Sequence, residues 1–168
     1  MLPLFIVYTM EYVAISGVAP TLLFPPQSTP FHHYRDFYPA YQALYQAGVF
    51  ISRSSILFLR LKNIYIPSVL QIVNLVVLTL HALLYFLPTV WIVFLIFFWT
   101  GLLGGAVYVN AFAKISDEVE EEEREFSLSA TTVADSTGIL LASLVAMALE
   151  PAVCNFQVEH GRDWCKRT

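Results

Sequence analysis

Charged residues are scarce in this sequence, and that scarcity excludes most soluble folds. Lys, Arg, Asp and Glu make up 13% of the 168 residues, and a soluble domain of this length carries about twice that fraction. Hydrophobic residues reach 57%, and the mean hydropathy is +0.63. They occur in long blocks rather than in the short periodic patches of a globular core. The sequence therefore predicts an integral membrane protein.

The motifs of several common enzyme and binding classes are also absent. The sequence has no P-loop, dinucleotide-binding glycine motif, zinc-protease or serine-hydrolase motif, and no basic nucleic-acid patch. His32 and His33 in the first loop have no further ligands at a spacing that suits zinc. An intramembrane lipid enzyme would need a nucleophile and base that we do not find. We therefore expect no enzymatic activity, no metal, no cofactor and no nucleic-acid partner.

Cysteine is limited to two residues, Cys154 and Cys165, both near the C-terminus. Two cysteines in this segment fix no disulfide framework. Cys165 is the fourth residue from the end, as in a prenylation motif, but Lys and Arg replace the usual aliphatic residues. Both cysteines are kept as lipidation candidates.

Five apolar blocks are long enough to cross a bilayer, which takes about 20 residues each. None alternates with a period of two, so a barrel is disfavoured, and helices satisfy the backbone in lipid. We predict a transmembrane helical bundle over residues 1–149 and a polar tail over 150–168. A tight helical hairpin is expected around Pro88. The predicted spans are Met1–Phe24, Tyr38–Leu59, Ile64–Leu87, Thr89–Ala113 and Leu128–Leu149.

Two segments outside the apolar cores carry further expectations. The first block has no basic start and contains Glu11, so we expect an uncleaved insertion signal rather than a removable signal peptide. The acidic run Ser116–Glu125 is interpreted as a solvated loop or the start of the last helix, where carboxylates suit the helix dipole. A docking site for a basic partner is the alternative for this run.

The distribution of basic residues gives only a partial orientation. Five spans place Arg60, Lys62, Lys114 and Arg124 on one side, and Arg35 with the basic residues of the tail on the other. The short loops favour a cytosolic location for the first group, but counting the tail cancels that bias.

Polar residues inside the spans are the functional candidates, because a charge at the bilayer centre costs about 2.5–3.5 kcal/mol on insertion scales. Arg53 either snorkels to the cytosolic headgroups or makes a buried ion pair or anion contact. A helical wheel places it on a polar face that we expect to point inward. That face comprises Tyr38, Gln42, Tyr45, Gln46, Val49 and Arg53.

Glu11 and Asp135 are the other charges well inside predicted spans. Each is interpreted either as a neutral or paired packing residue or as a proton or substrate site. Asp135 shares a helix face with mostly small residues, which permit close helix contact. These residues are Leu128, Thr131, Gly138, Ala142 and Ala146.

The fourth block contains the motif G-x-x-x-G at Gly101 and Gly105, with Gly104 and Asn110 nearby. Such glycines favour helix–helix packing, and a substrate-lining kink is the alternative. In the third block Gln71, Asn74 and His81 share one face. We expect them to form interhelical hydrogen bonds.

Four segments, "EYVAISG", "YQALYQAGVFISRSS", "VFLIFFWTGLLGGAVYVNAF" and "REFSLSATTVADSTGI", resemble the C-terminal half of the battenin family. These are lysosomal membrane proteins associated with juvenile neuronal ceroid lipofuscinosis. The resemblance covers roughly residues 1–154 and implies the second half of a major-facilitator-like fold in the lysosomal or late endosomal membrane. It also implies roles in lysosomal pH homeostasis and in export of glycerophosphodiesters or basic amino acids. A facilitator fold places the Arg60 and Lys114 loops in the cytosol.

The resemblance implies a solute site between two helical halves at mid-membrane. The expected partners are membrane lipids, a small-molecule solute, and a second copy or a full-length relative. The family's N-terminal half has no counterpart here, so we interpret the chain as an isoform, a mispredicted gene product or a fragment. A non-transporting scaffold in endosome–lysosome trafficking is the rival function. The substrate-binding or proton-coupling candidates are Glu11, Gln42, Tyr45, Gln46, Arg53, Asn110 and Asp135.

Overall fold

The protein is an all-α bundle, as predicted, and no strand occurs in the part of the chain that is described. A computed structural model describes residues 2–25, 27, 29–55 and 63–167. Helix α1 continues through a π-helical turn (Val13–Val18) and a 3-10 turn (Ala19–Thr21), and further 3-10 turns cover Tyr34–Asp36 and Trp164–Arg167. The α-helices are α1 (Leu2–Tyr12), α2 (Phe37–Ser54), α3 (Tyr65–Leu84), α4 (Val90–Glu118) and α5 (Glu121–Glu159).

Four helical segments are long and apolar enough to cross a membrane: Leu2–Thr21, α3, α4 and α5. Helix α2 has 18 residues and coincides with the start of the second predicted span. The end of that span, residues 56–59, lies outside the described residues, as do Arg60 and Lys62. The number of five spans therefore stays a prediction.

Helix α5 is longer at both ends than the span predicted for it. Three glutamates, Glu121 to Glu123, form its first turn, where their charge stabilises the positive end of the helix dipole. The helix then continues through Pro151 to Glu159, so the first part of the predicted polar tail is helical. Its 39 residues extend over about 58 Å, well beyond the hydrocarbon core of a bilayer.

Glycines bring α2 and α4 into backbone contact. A β-carbon on Gly48 would overlap the carbonyl oxygen of Phe98, and one on Gly101 would overlap that of Tyr45. A β-carbon on Gly105 would lie 2.9 Å from the carbonyl oxygen of Val49. The glycines of the G-x-x-x-G motif thus lie at a helix contact rather than at a kink.

Helix α1 lies at the centre of the bundle and packs mainly on α5, with further contacts to α3 and α4. Gly138 of α5 faces Phe5, whose carbonyl oxygen would be 3.0 Å from an added β-carbon. In the π-helical turn, Gly17 packs against Ala146 in the same way. Most of the small-residue stripe of α5 is buried here: Thr131, Gly138, Ala142 and Ala146.

The predicted hairpin around Pro88 is present, because α3 ends at Leu84 and α4 begins at Val90. Tyr85 adopts a left-handed conformation with φ of 51°, which ends α3. The backbone N–H of Leu87 donates to Nδ1 of His81 at 3.1 Å. His81 therefore orders this connection. The sequence had led us to expect that His81 would bond a neighbouring helix instead.

Cys154 and Cys165 form a disulfide, which the sequence did not predict. The bond closes a short loop from α5 to the last 3-10 turn. Both sulfur atoms are occupied, so the structure does not agree with lipidation of either cysteine.

Candidate functional site

Glu11 lies at the end of α1, immediately before the π-helical turn, and its carboxyl group is buried inside the bundle. Only 1% of the residue is exposed. Gly104 of α4 lies directly opposite, and a β-carbon there would overlap the carboxylate oxygens. Helix α4 therefore makes room for this carboxyl group through the glycine.

Polar side chains from the neighbouring helices surround the carboxyl group. The hydroxyl of Tyr45 and Nε2 of Gln71 donate to it, the latter over 3.3 Å. Gln71 also donates to the carbonyl oxygen of Thr100 at 3.1 Å. Asn74 donates to Oε1 of Gln71 at 3.1 Å and to Oγ1 of Thr100 at 3.3 Å. We call these five residues the Glu11 network; it joins four helices, as expected for a satisfied buried polar network.

Arg53, near the end of α2, lies among tyrosines. Its Nη2 donates to the hydroxyl of Tyr8 at 3.1 Å, and its Cζ lies 4.2 Å from the centroid of the Tyr108 ring. Tyr8 stacks on Tyr12, with centroids 6.1 Å apart, and contacts the edge of Tyr108. The ring contact is a cation–π interaction. We call these four residues the Arg53 cluster.

The Arg53 cluster and the Glu11 network are adjacent, because Tyr8 and Glu11 lie about one turn apart on α1. Arg53 and Glu11 are close enough to attract each other electrostatically. Within the described part of the chain, however, no ion pair joins Arg53 to Glu11 or Asp135. In this structure the Glu11 carboxyl group instead accepts hydrogen bonds from Tyr45 and Gln71.

Asp135 is half-buried on α5 and lies beside the site rather than in it. Its Oδ1 accepts a hydrogen bond from the hydroxyl of Ser136 at 3.2 Å. It is close enough to Tyr8 and Tyr12 to act on them electrostatically. Asp135 thus contributes negative charge near the Arg53 cluster without contacting the guanidinium.

The polar face of α2 points inward only in part, which corrects the expectation from the helical wheel. Tyr45 and Val49 are buried and Gln42 is half-buried, donating to the Tyr38 hydroxyl. Tyr38, Gln46 and Arg53 are exposed. At 100° per residue, the centre of the buried face lies about 80° around the helix axis from the centre of the predicted face. The reason is that α2 packs on α4 through Gly48. It comprises Phe37, Tyr41, Tyr45, Gly48, Val49 and Ser52.

Two other candidates do not join these groups of side chains. Asn110 is buried, and its Nδ2 donates to the carbonyl oxygen of Ala106 one turn earlier on α4. It lines a separate, largely apolar cavity of about 360 Å³ together with Ser52 and Trp99. Gln46 is exposed on α2, away from the Glu11 network.

Sequence reasoning did not select Tyr8 and Tyr108, the two residues that contact Arg53. A signal for Tyr8 is present in the sequence, because it lies three residues before Glu11 and so on the same side of α1. Tyr108 lies four residues after Gly104, the residue that faces Glu11. Spacing from the selected residues, applied across helices, would have pointed to both tyrosines.

The exposed surface of the bundle has an apolar side and a second side, called the polar side, on which polar residues lie among apolar ones. Every exposed residue of α3, and of α4 up to Ala113, is apolar or aromatic. By contrast, α2 exposes Gln46 and Arg53 beside Phe50 and Ile51. Helix α5 exposes a row of hydroxyls, together with Val133 and Leu140, along a shallow groove of about 470 Å³. Those hydroxyl residues are Ser129, Thr132, Ser136 and Thr137. The apolar side suits lipid contact, and the polar side suits a wet or protein-covered environment.

Residues 1–156 match the family described as CLN3 protein. The chain belongs to this family. It is 62% identical to Protein btn-1 of Neurospora crassa and 59% identical to Protein btn1 of Aspergillus fumigatus, over 99% of the chain in each case. It is 54% identical to Protein BTN1 of Yarrowia lipolytica over 98% of its length. No solved structure matches the chain.

CLN3 family membership confirms the resemblance to battenin found in the sequence. Together with the apolar helices, it makes the chain a multi-pass membrane protein. The match covers 36% of the Neurospora and Aspergillus proteins and 42% of the Yarrowia protein. The chain therefore spans less than half the length of these relatives.

Proposed function

We propose that this chain forms one wall of a solute path in a lysosomal or late endosomal transporter, with Arg53 as the contact for an anionic group of the solute. The solute is a glycerophosphodiester or a basic amino acid, and its movement is linked to lysosomal pH. The rest of a longer CLN3 family protein supplies the opposite wall. We expect no enzymatic activity.

The observation that carries this proposal is the surroundings of Arg53. A guanidinium presents five N–H donors in a planar fork that matches phosphate and carboxylate groups. In Arg53, one of these donors bonds the Tyr8 hydroxyl and one face of the guanidinium lies on the Tyr108 ring. Arg53 nevertheless remains exposed. Because no carboxylate forms an ion pair with it within the described residues, its charge is available to an anion from the polar side of the bundle.

Glu11 supports a role in proton coupling. It is the only carboxyl group buried in the core of the described residues, and it lies about one turn from the tyrosine that holds Arg53. A change in its charge would act on Arg53 across this short distance. Transporters commonly place such ionisable groups within their spans.

The contrast between the two sides of the bundle supports a second wall. Facilitator-like transporters bind solute between two helical halves, one of which rocks against the other. Here α3 and α4, up to Ala113, expose apolar and aromatic residues alone, whereas α2 and α5 expose polar residues among apolar ones. We therefore expect the polar side to face the other half, and the isolated chain to show no transport.

Reconstituted vesicles test this proposal. The chain is produced together with the part of the Neurospora relative that lies outside the match, and uptake of a labelled glycerophosphodiester and of labelled lysine or arginine is measured. We expect saturable flux that Arg53→Ala abolishes and that deletion of Asp117–Glu125 preserves. The matched control is Ser54→Ala, next to Arg53 on the same exposed helix end.

Two results would contradict the proposal. Saturable flux by the chain alone, purified as a monomer, would refute the role of a half-transporter. Flux that survives Arg53→Ala but is lost with the acidic run would favour the scaffold, in which the acidic segment recruits a partner.

A further inference from the structure

The chain folds back on the bundle after the predicted last span. Helix α5 ends at Glu159, and Gly161 reverses the chain with φ of 82°, a conformation that favours glycine. The disulfide then returns the final turn to α5, with the two Cα atoms 5.9 Å apart. We call residues 154–167 the C-terminal clasp.

The clasp bonds the ends of two helical segments, Leu2–Thr21 and α3. Nε2 of Gln157, which is buried, donates to the carbonyl oxygen of Thr21 at 3.0 Å and to that of Ala82 at 2.7 Å. Arg162 donates to the carbonyl oxygens of Ala82, at 3.2 Å, and of Leu83. Carbonyls in the last turn of a helix have no intrahelical donors, and a cation there faces the negative end of the helix dipole. The clasp thus caps α3 and joins it to the end of the first helical segment.

Aromatic contacts hold the final turn in place. Trp164 stacks on Tyr34 of the first loop, with centroids 6.3 Å apart, and meets Tyr85 of the α3–α4 hairpin edge-on at 5.5 Å. The disulfide lines a cavity of about 570 Å³ between this turn and the start of α2. The final turn therefore rests on loops and ring contacts, and the disulfide cross-links it to α5.

A disulfide also indicates which compartment this end of the bundle faces. Disulfides persist in oxidising compartments and are reduced in the cytosol. The clasp lies at the C-terminal end of α5, and the acidic first turn lies at the opposite end of this long helix. The clasp end is thereby assigned to the lumen, and Lys114 and the acidic turn to the cytosol, in agreement with the short-loop bias.

We propose that the Cys154–Cys165 disulfide is a redox-controlled lock that holds the C-terminal clasp over the lumenal ends of the first helical segment (Leu2–Thr21) and α3. Two molecules of a small thiol reduce it: the sulfur–sulfur bond breaks, each protein sulfur gains an electron and a proton, and the small thiols leave as their own disulfide. The clasp then keeps the bonds of Gln157 and Arg162 and the Trp164 contacts, but it has lost its cross-link. The lock concerns packing of the tail, so it does not depend on the solute path.

Limited proteolysis of the full chain, purified in detergent without reductant, tests the lock. We expect N-ethylmaleimide to label no cysteine before reduction and two after dithiothreitol. Trypsin cleavage after Arg162 should become about tenfold faster or more on reduction, because opening the clasp exposes the bond. Cleavage after Lys114, which is exposed at the other end of the bundle, should keep its rate and serves as the internal control.

Variants separate the lock from general unfolding. Cys165→Ser should be cleaved after Arg162 at the fast rate with or without dithiothreitol, whereas Ser143→Ala, on an exposed part of α5, should respond to dithiothreitol like the parent chain. Two labelled cysteines in the untreated protein, a lipid adduct on either sulfur, or equal cleavage rates before and after reduction would overturn the lock.

Sealed membrane vesicles with the cytosolic face outward test the sidedness. External trypsin should cut after Lys114 at once and after Arg162 only when the vesicles are permeabilised. Cleavage after Arg162 in sealed vesicles would overturn the lumenal placement.

Discussion

Glu11 of α1 and Arg53 of α2 are ionisable groups of opposite type in the same bundle, yet their surroundings differ in kind. The Glu11 network is enclosed, with donors from α2 and α3 on the carboxyl group and a glycine of α4 pressed against it. The Arg53 cluster is open, with a guanidinium on a tyrosine ring and its remaining donors unassigned. An enclosed charge is held by the fold, whereas an open one can take a ligand. Glu11 therefore suits a structural or proton-carrying role, and Arg53 suits a solute-binding role.

The largest effect is expected from closing the space that Glu11 occupies. Gly104→Leu puts a side chain where the carboxylate lies, so α4 must move away from α1 or Glu11 must leave the network. We expect a loss of about 3 kcal/mol or more in the free energy of unfolding, from overpacking together with unpaired buried polar groups. Thermal or denaturant unfolding in detergent measures it.

Ala106→Leu is the matched control for this substitution. Ala106 lies two residues further along α4 and lines the apolar cavity of about 360 Å³, which can accept a larger side chain. If Gly104→Leu and Ala106→Leu change stability equally, the close contact between α4 and the Glu11 carboxyl group is not what the fold depends on.

An intermediate effect is expected from changing Glu11 itself. Glu11→Ala leaves the Tyr45 hydroxyl and the Gln71 amide without their acceptor, at about 1–3 kcal/mol of stability. Glu11→Gln keeps an acceptor oxygen of similar shape, so its stability should be close to that of the parent chain.

The Gln variant then separates the structural role from proton coupling. In the reconstituted system described above, we expect Glu11→Gln to bind solute but to lose the pH dependence of flux, because an amide does not exchange the proton. An unchanged pH profile for Glu11→Gln would assign Glu11 to packing alone.

The fold was predictable from the sequence because long apolar blocks leave few alternatives to helices. The helix-packing glycines were also predictable, since Gly101 and Gly105 lie at the spacing that permits close contact. The orientation of α2 was not predictable. The helical wheel assumed that the polar side chains point inward, but α2 packs on α4 through Gly48, which has no side chain. Glu11 stood out as a lone charge in an apolar block.

The partners of the candidate residues were harder to predict than the residues themselves. Tyr8 and Tyr108 contact Arg53 across three helices. Spacing places each tyrosine near a selected residue of its own helix, but it does not show that the two meet at Arg53. The same holds for the C-terminal clasp, because two cysteines 11 residues apart specify no pairing until α5 is known to continue beyond Leu149.

The smallest effect on stability is expected from Arg53→Lys, which should act mainly on solute binding. The lysine keeps the positive charge and a cation–π contact with Tyr108, so the free energy of unfolding should change by no more than about 1 kcal/mol. It loses the planar fork, so binding of an anionic solute such as a glycerophosphodiester should weaken about tenfold. Arg53→Ala should bind weaker still. Snorkelling to the headgroups requires only the charge, so equal solute binding by Arg53→Lys and the parent chain would assign Arg53 to the membrane surface and remove it from the solute path.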